Sequence, residues 1–156
     1  MKKITAITIM LLCIICLLAG CSPKEVETAK RKLDGRDFIA ENVPNLTDVK
    51  MVQYESYYKS YRILGRDMSF SPSDPGYRGI ITLSEEEGQR LMQEYTWTKT
   101  SDPLPEMLEI DLTSYQGQDW YYSDDFYNDY FRNPTMYGEF VRFNGTDTII
   151  FDYKSH

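Results

Sequence analysis

Histidine is almost missing from this chain: one occurs in 156 residues, and it is His156. A Ser/His/Asp triad or a Cys/His pair therefore cannot be assembled from the interior of the sequence. Cysteine is scarce as well, three residues at positions 13, 16 and 21. Beyond Cys21 there is no thiol for a nucleophile, a disulfide or a zinc site. No P-loop, G-x-G-x-x-G turn or EF-hand loop is present, so no cofactor and no metal is expected. Clustered positive charge is limited to "KRK" at 30–32. Phosphate backbones are bound by Lys and Arg clusters, so nucleic acid is not expected as a partner.

One stretch lacks charge altogether. Lys2 and Lys3 precede an uncharged run of 17 residues from Ile4 to Gly20, the layout of an export signal. A membrane-spanning helix takes about 20 apolar residues, so the run is short for a span. It ends on Leu18-Ala19-Gly20-Cys21, which resembles the lipobox of bacterial lipoproteins. The resemblance implies a diacylglyceryl group joined by a thioether to the Cys21 sulfur, with cleavage just before that residue. Cys13 and Cys16 would then leave with the signal peptide. Buried acyl chains contribute about 0.8 kcal/mol per methylene, and two chains hold a membrane stably. The implied location is the extracytoplasmic face of the cell membrane. Taking Lys2 and Lys3 from the 17 basic residues leaves 15 against 24 acidic ones, a mature net charge of about -9. The rest of the chain resembles small Gram-positive lipoproteins, a likeness that carries over no activity and no functional residues.

The expected organisation is a signal peptide over 1–20, a tether over 21–36 and a single domain over 37–156. The tether holds good helix formers in "KEVETAKRKL". "DFIAENVP" reads as a short helix stopping before Pro44, and 45–70 as two strands. Pro75-Gly76 suits a type II turn. Ser84 and Glu87 have the spacing of a capping box, which predicts a helix over about 85–95 with Leu91, Met92 and Tyr95 as its apolar stripe. Gly88 costs such a helix up to about 1 kcal/mol and calls for a close packing contact. "EMLEIDLTSY" alternates Leu108, Ile110 and Leu112 against polar residues and reads as a strand. Ser123 opens a second short helix bearing Phe126 and Tyr130. "GEFVRFNGTDTIIFDY" reads as a hairpin about Asn144-Gly145; a two-residue loop would set Arg142 opposite Asp147 and Phe140 opposite Ile149. The sequons at Asn45 and Asn144 read as turn chemistry. The fold class expected is α+β, a small antiparallel sheet of about five strands with one main packed helix and a C-terminal hairpin.

Acidic and aromatic residues concentrate in "SYQGQDWYYSDDFYNDYFRNPTMY", 114–137. Aromatics at helical spacing pack cores, and aspartates beside them cap helices and face water. Trp120, Tyr121 and Tyr122 are nonetheless the candidate binding residues, able to stack on a sugar ring or anchor a partner. A carboxylate pair, Asp119 or Asp124 with Glu139, is the alternative, as in glycoside hydrolysis. No catalytic residue is assigned. The function expected is a membrane-anchored, non-catalytic binding or accessory domain, its partners being the membrane through the anchor and an envelope protein or glycan; the alternative is a cell-surface glycan hydrolase.

Overall fold

The computed structural model describes residues 24–32, 35–63, 66–68, 75–132 and 136–155. Cys21 and the apolar run before it lie outside the described residues. In chain order the strands are β1 (Lys24–Lys32), β2 (Val49–Ile63), β3 (Arg66–Met68), β4 (Gly76–Leu83), β5 (Thr98–Thr100), β6 (Trp120–Tyr122), β7 (Met136–Phe143) and β8 (Thr148–Ser155). The helices are α1 (Arg36–Asn42), α2 (Glu85–Glu94) and α3 (Asp124–Phe126), the last running on as a π-helical turn over Tyr127–Phe131.

The chain divides into two units. In the smaller, residues up to 27 with 59–73, the end of β2 pairs antiparallel with β3, Tyr61 opposite Met68. Lys59 meets Glu25 there at 2.7 Å, with both side chains about half exposed, a pair of modest worth in water. In the larger unit the strands stand in the order β1-β2-β4-β8-β7-β6-β5. Its pairings from β2 to β5 are all antiparallel.

This corrects the expected α+β fold with one main packed helix. Among the described residues eight strands carry the structure, and α2, although present where expected, is ten residues long and one of three short helices. Clean alternation does not mark every strand of this chain. β1 has none: its helix formers are held extended by pairing, and tertiary context overrides so weak a propensity. Gly76, expected in a turn, opens β4 instead.

Alternation along β2, β4, β7 and β8 gives the sheet two apolar faces. On the first, Val52, Ile81, Val141, Ile149 and Phe151 pack with Phe38 of α1, Leu91 of α2 and Phe126 and Phe131 of the α3 segment. Phe38 stacks on Phe151 with ring centroids 5.1 Å apart. The buried Tyr153 donates its hydroxyl to the Phe131 carbonyl at 2.5 Å, and desolvation pushes its ionisation up.

On the second face, Ile80 and Ile150 meet Trp120, Ile110 and Leu112. Its cover is the segment 101–119, which contains no strand, only a 3₁₀ turn over Thr113–Tyr115. The strand expected in "EMLEIDLTSY" is thus corrected. Ile110 and Leu112 bury as alternation required, but Leu108 is 56% exposed. The amides of Leu108 and Glu109 do not join a ladder; they donate to the Glu55 carboxylate at 3.0 and 2.6 Å. Glu55 is fully buried and also accepts from Arg78 Nε at 2.5 Å. The Arg78 guanidinium lies 4.3 Å from the centroid of the Tyr57 ring, whose hydroxyl donates to Asp152 at 2.6 Å.

The capping box forms by half. Ser84 Oγ accepts the Glu87 amide at 3.1 Å, while the Ser84 amide donates to the Asp48 carbonyl. The Glu87 carboxylate turns instead to Arg90, taking two bonds of 2.8 Å. Gly88 is the contact point of α2: a Cβ there would overlap the Thr146 carbonyl oxygen in the β7–β8 turn. In that turn Asn144 Oδ1 accepts the amides of Thr146, Asp147 and Thr148 at 3.0, 3.0 and 2.9 Å, and Gly145 takes φ +83°. The loop is longer than two residues, so the expected register shifts. Phe143 faces Ile149, Arg142 faces Ile150 and Phe140 faces Asp152.

Two predictions follow from these contacts. Gly88→Ala should lower stability by about 1–3 kcal/mol in urea titrations, against its gain in helix propensity, because overpacking outweighs propensity. Glu55→Ala should cost about 3–5 kcal/mol, since it removes the anion opposite a buried guanidinium, and the Leu108 and Glu109 amides should exchange faster with solvent.

Candidate functional site

The three candidate aromatics sit on one short strand and diverge. Trp120 is 5% exposed and belongs to the second-face core, so it is a packing residue in this structure rather than a surface anchor. Its indole Nε1 has no hydrogen-bond acceptor among the described residues. Tyr121 is half-buried beside Gly145. Tyr122 is 37% exposed, its ring centroid 5.4 Å from the Arg142 guanidinium. The alternation of a strand sends neighbours to opposite sides, which is why the three do not form one stacking platform.

The aspartates of the same region are engaged in local structure. Asp119 pairs with Lys99 at 2.7 Å on the surface. Asp124 and Asp125 occupy the first turn of α3, where Ser123 caps the Phe126 amide at 3.3 Å. Asp129 accepts the Tyr95 hydroxyl at 3.0 Å; burial first, and then that bond, raise the Tyr95 ionisation. The Glu139 side chain lies outside the described residues.

What the region does form is a small cavity of about 240 Å³ lined by Tyr122, Ser123, Asp124, Tyr127, Phe140 and Arg142. Arg142 is the cation of its lining. The guanidinium lies 4.5 Å from the Phe140 ring centroid and donates to Asp102 at 2.7 Å and to its own neighbour's carbonyl at Val141. The bond from Arg142, and then that from Thr100, hold the Asp102 carboxyl below its ordinary value.

A much larger groove, about 810 Å³, lies elsewhere in the larger unit, between α1 and the start of β2. Arg36, Ile39 and Ala40 are spaced i, i+3, i+4 and so share one side of α1. Pro44, Val49, Lys50, Met51 and Val52 complete the lining. Among the described residues its charged side chains are Arg36 and Lys50, both cationic. The ladder with β4 slips between Val49 and Met51, leaving Lys50 as the extra residue of a β-bulge. Bulges bend a strand and re-aim a side chain. Met51 is 42% exposed at the groove. Apolar pockets of about 300–1,000 Å³ with a few placed polar groups are the usual form of ligand sites.

Nothing in the sequence marks this groove. The 36–52 stretch shows no aromatic cluster and no motif; the available signal was an apolar run interrupted by lysine, which alternation alone assigns to an ordinary strand.

No protein-family model, curated protein or solved structure matches this chain. The site is therefore argued from its own geometry.

The Asp102 pairing generates a pH prediction. A carboxyl depressed in the folded state stabilises it above the unfolded-state value and stops doing so as pH falls through the lower folded value. The acid limb of the stability profile, below about pH 4, should therefore be shallower in Asp102→Asn than in the parent chain, with the two profiles parallel near neutrality. Urea midpoints across that range check it.

Proposed function

We propose that this protein is a lipid-anchored, extracytoplasmic binding domain held at the cell membrane, without catalytic activity of its own. Binding rests on one observation, the 810 Å³ groove between α1 and β2 with its mixed polar and apolar lining, Arg36 and Lys50 included. Anchoring rests on the sequence Leu18-Ala19-Gly20-Cys21 behind a basic and then uncharged segment. The two features suit one another. A domain tied to a surface by acyl chains works at high local concentration toward whatever diffuses along that surface.

The described residues bring together no group of three or more His, Cys, Asp or Glu side chains that could hold a metal ion, and none of the described helices is long and apolar enough to cross a membrane. The site's resources are shape, apolar surface and positive charge. These bind and orient.

Cys21→Ser should move the protein from the membrane fraction to the soluble fraction and abolish incorporation of labelled palmitate. Mass spectrometry of the parent chain's mature N-terminus should show a diacylglyceryl-modified Cys21; an unmodified cysteine there would overturn the anchor.

A further inference from the structure

We propose that the small cavity between α3 and β7 holds one uncharged pyranose ring. Its lining shares no residue with that of the α1–β2 groove, so this inference and the reading of that groove stand or fall separately.

The cavity exists because β6 stops early. β6 pairs with β7 at a single position, Tyr121 opposite Phe143, and the chain then turns away into α3. Past that pair the flank of β7 is met by Tyr122, Ser123, Asp124 and Tyr127, and about 240 Å³ is left between them and Phe140, Val141 and Arg142. That is below the 300–1,000 Å³ usual for drug-sized ligands. It is room for one small ring.

What already lines the cavity excludes three ligand classes. An anion is disfavoured because the Arg142 guanidinium is paired with Asp102 at 2.7 Å and Asp124 adds a further negative charge. A cation would seek open aromatic faces, but the same guanidinium lies 4.5 and 5.4 Å from the ring centroids of Phe140 and Tyr122. Those rings have their cation. A wholly apolar ligand would strip water from the exposed Asp124 carboxylate and give no hydrogen bond in return.

A neutral ring of hydroxyls meets all three conditions, because each hydroxyl both donates and accepts. Asp124, in the first turn of α3, is the acceptor. Arg142 is the donor: a guanidinium carries five N–H groups, and among the described residues two bonds are made, to Asp102 and to the Val141 carbonyl. Its buried Nε has no acceptor there, and an unpaired buried donor calls for an explanation. A ligand hydroxyl at this half-buried side chain supplies one. The C–H faces of the sugar then pack on the aromatic walls of Tyr122, Tyr127 and Phe140.

The test reads Arg142 directly. The full-length chain, ¹⁵N-labelled, is placed in phosphatidylcholine nanodiscs, and the Arg142 Nε–H signal is assigned through Arg142→Lys. The methyl glycosides of glucose, galactose, mannose and N-acetylglucosamine are titrated in turn. At least one should shift that signal saturably, with half-saturation about tenfold or more below that of sorbitol, a polyol without a ring. Asp124→Asn should raise that half-saturation about tenfold by removing a charge-assisted hydrogen bond, the unchanged spectrum of the ligand-free variant reporting that the fold is intact. Sorbitol acting as well as every glycoside would overturn the need for a ring. Choline or glucuronate acting better than the glycosides would overturn the neutral class. A signal that no glycoside moves, or a shift that Asp124→Asn does not weaken, would overturn the proposal outright. None of these outcomes bears on the α1–β2 groove or on the anchor.

Discussion

A single carboxylate with no exposure to water organises the second face of this sheet. Glu55 is held by the Arg78 guanidinium across the β2–β4 ladder and by two backbone amides of the covering segment, at 108 and 109. An isolated buried carboxylate is costly by several kcal/mol, and an irregular segment laid over a core carries amides that need acceptors. Each difficulty resolves the other here. Segment 101–119 has no ladder of its own to satisfy Leu108 and Glu109, and Glu55 has no water. Their joining lets Ile110 and Leu112 close over Ile80, Ile150 and Trp120. Tyr57 and Asp152 extend the same polar line to β8.

How much of this could be read in advance varied with the locality of the cause. The start of α2 was legible because Ser84 acts on an amide three residues away. The helix at Ser123 and the turn at Asn144-Gly145 were legible for the same reason. Gly88 announced a contact but not its partner, the Thr146 carbonyl 58 residues further on. Two of the departures involve partners distant in sequence, and the third, the hairpin register, has a local cause. "EMLEIDLTSY" has the period of a strand, yet its amides are claimed by a glutamate more than 50 residues earlier. β1 has the composition of a helix and the pairing of a strand. The hairpin register depended on whether the Asn144 side chain would gather three amides, which lengthens the loop beyond two residues.

The same division explains the site. Aromatic residues are dense over 114–137, but aromatics are first of all core formers, and Trp120 and Phe126 have gone inward. The groove between α1 and β2 is built from unremarkable residues: an isoleucine, an alanine, a proline, two valines and a methionine, with a lysine at a bulge. Its character comes from two elements, α1 and the start of β2, that the fold brings side by side, and no window of the sequence contains that meeting. Charge tells the same story. Bulk acidity predicts repulsion of anions, whereas the local lining is cationic.

The sheet order has a consequence for how the molecule comes into being. β8, the latest strand in the sequence, lies in the interior of the sheet, hydrogen-bonded to β4 on one side and β7 on the other. Contacts between strands so far apart along a chain close late and slowly. Until Thr148–Ser155 arrives, β4 presents an open backbone edge and the apolar surfaces on both sides of it lack their middle. A ribosome stalled short of this strand would release two half-sheets with nothing to join them. The centre of this sheet therefore cannot close before β8 has been made and has paired on both of its edges.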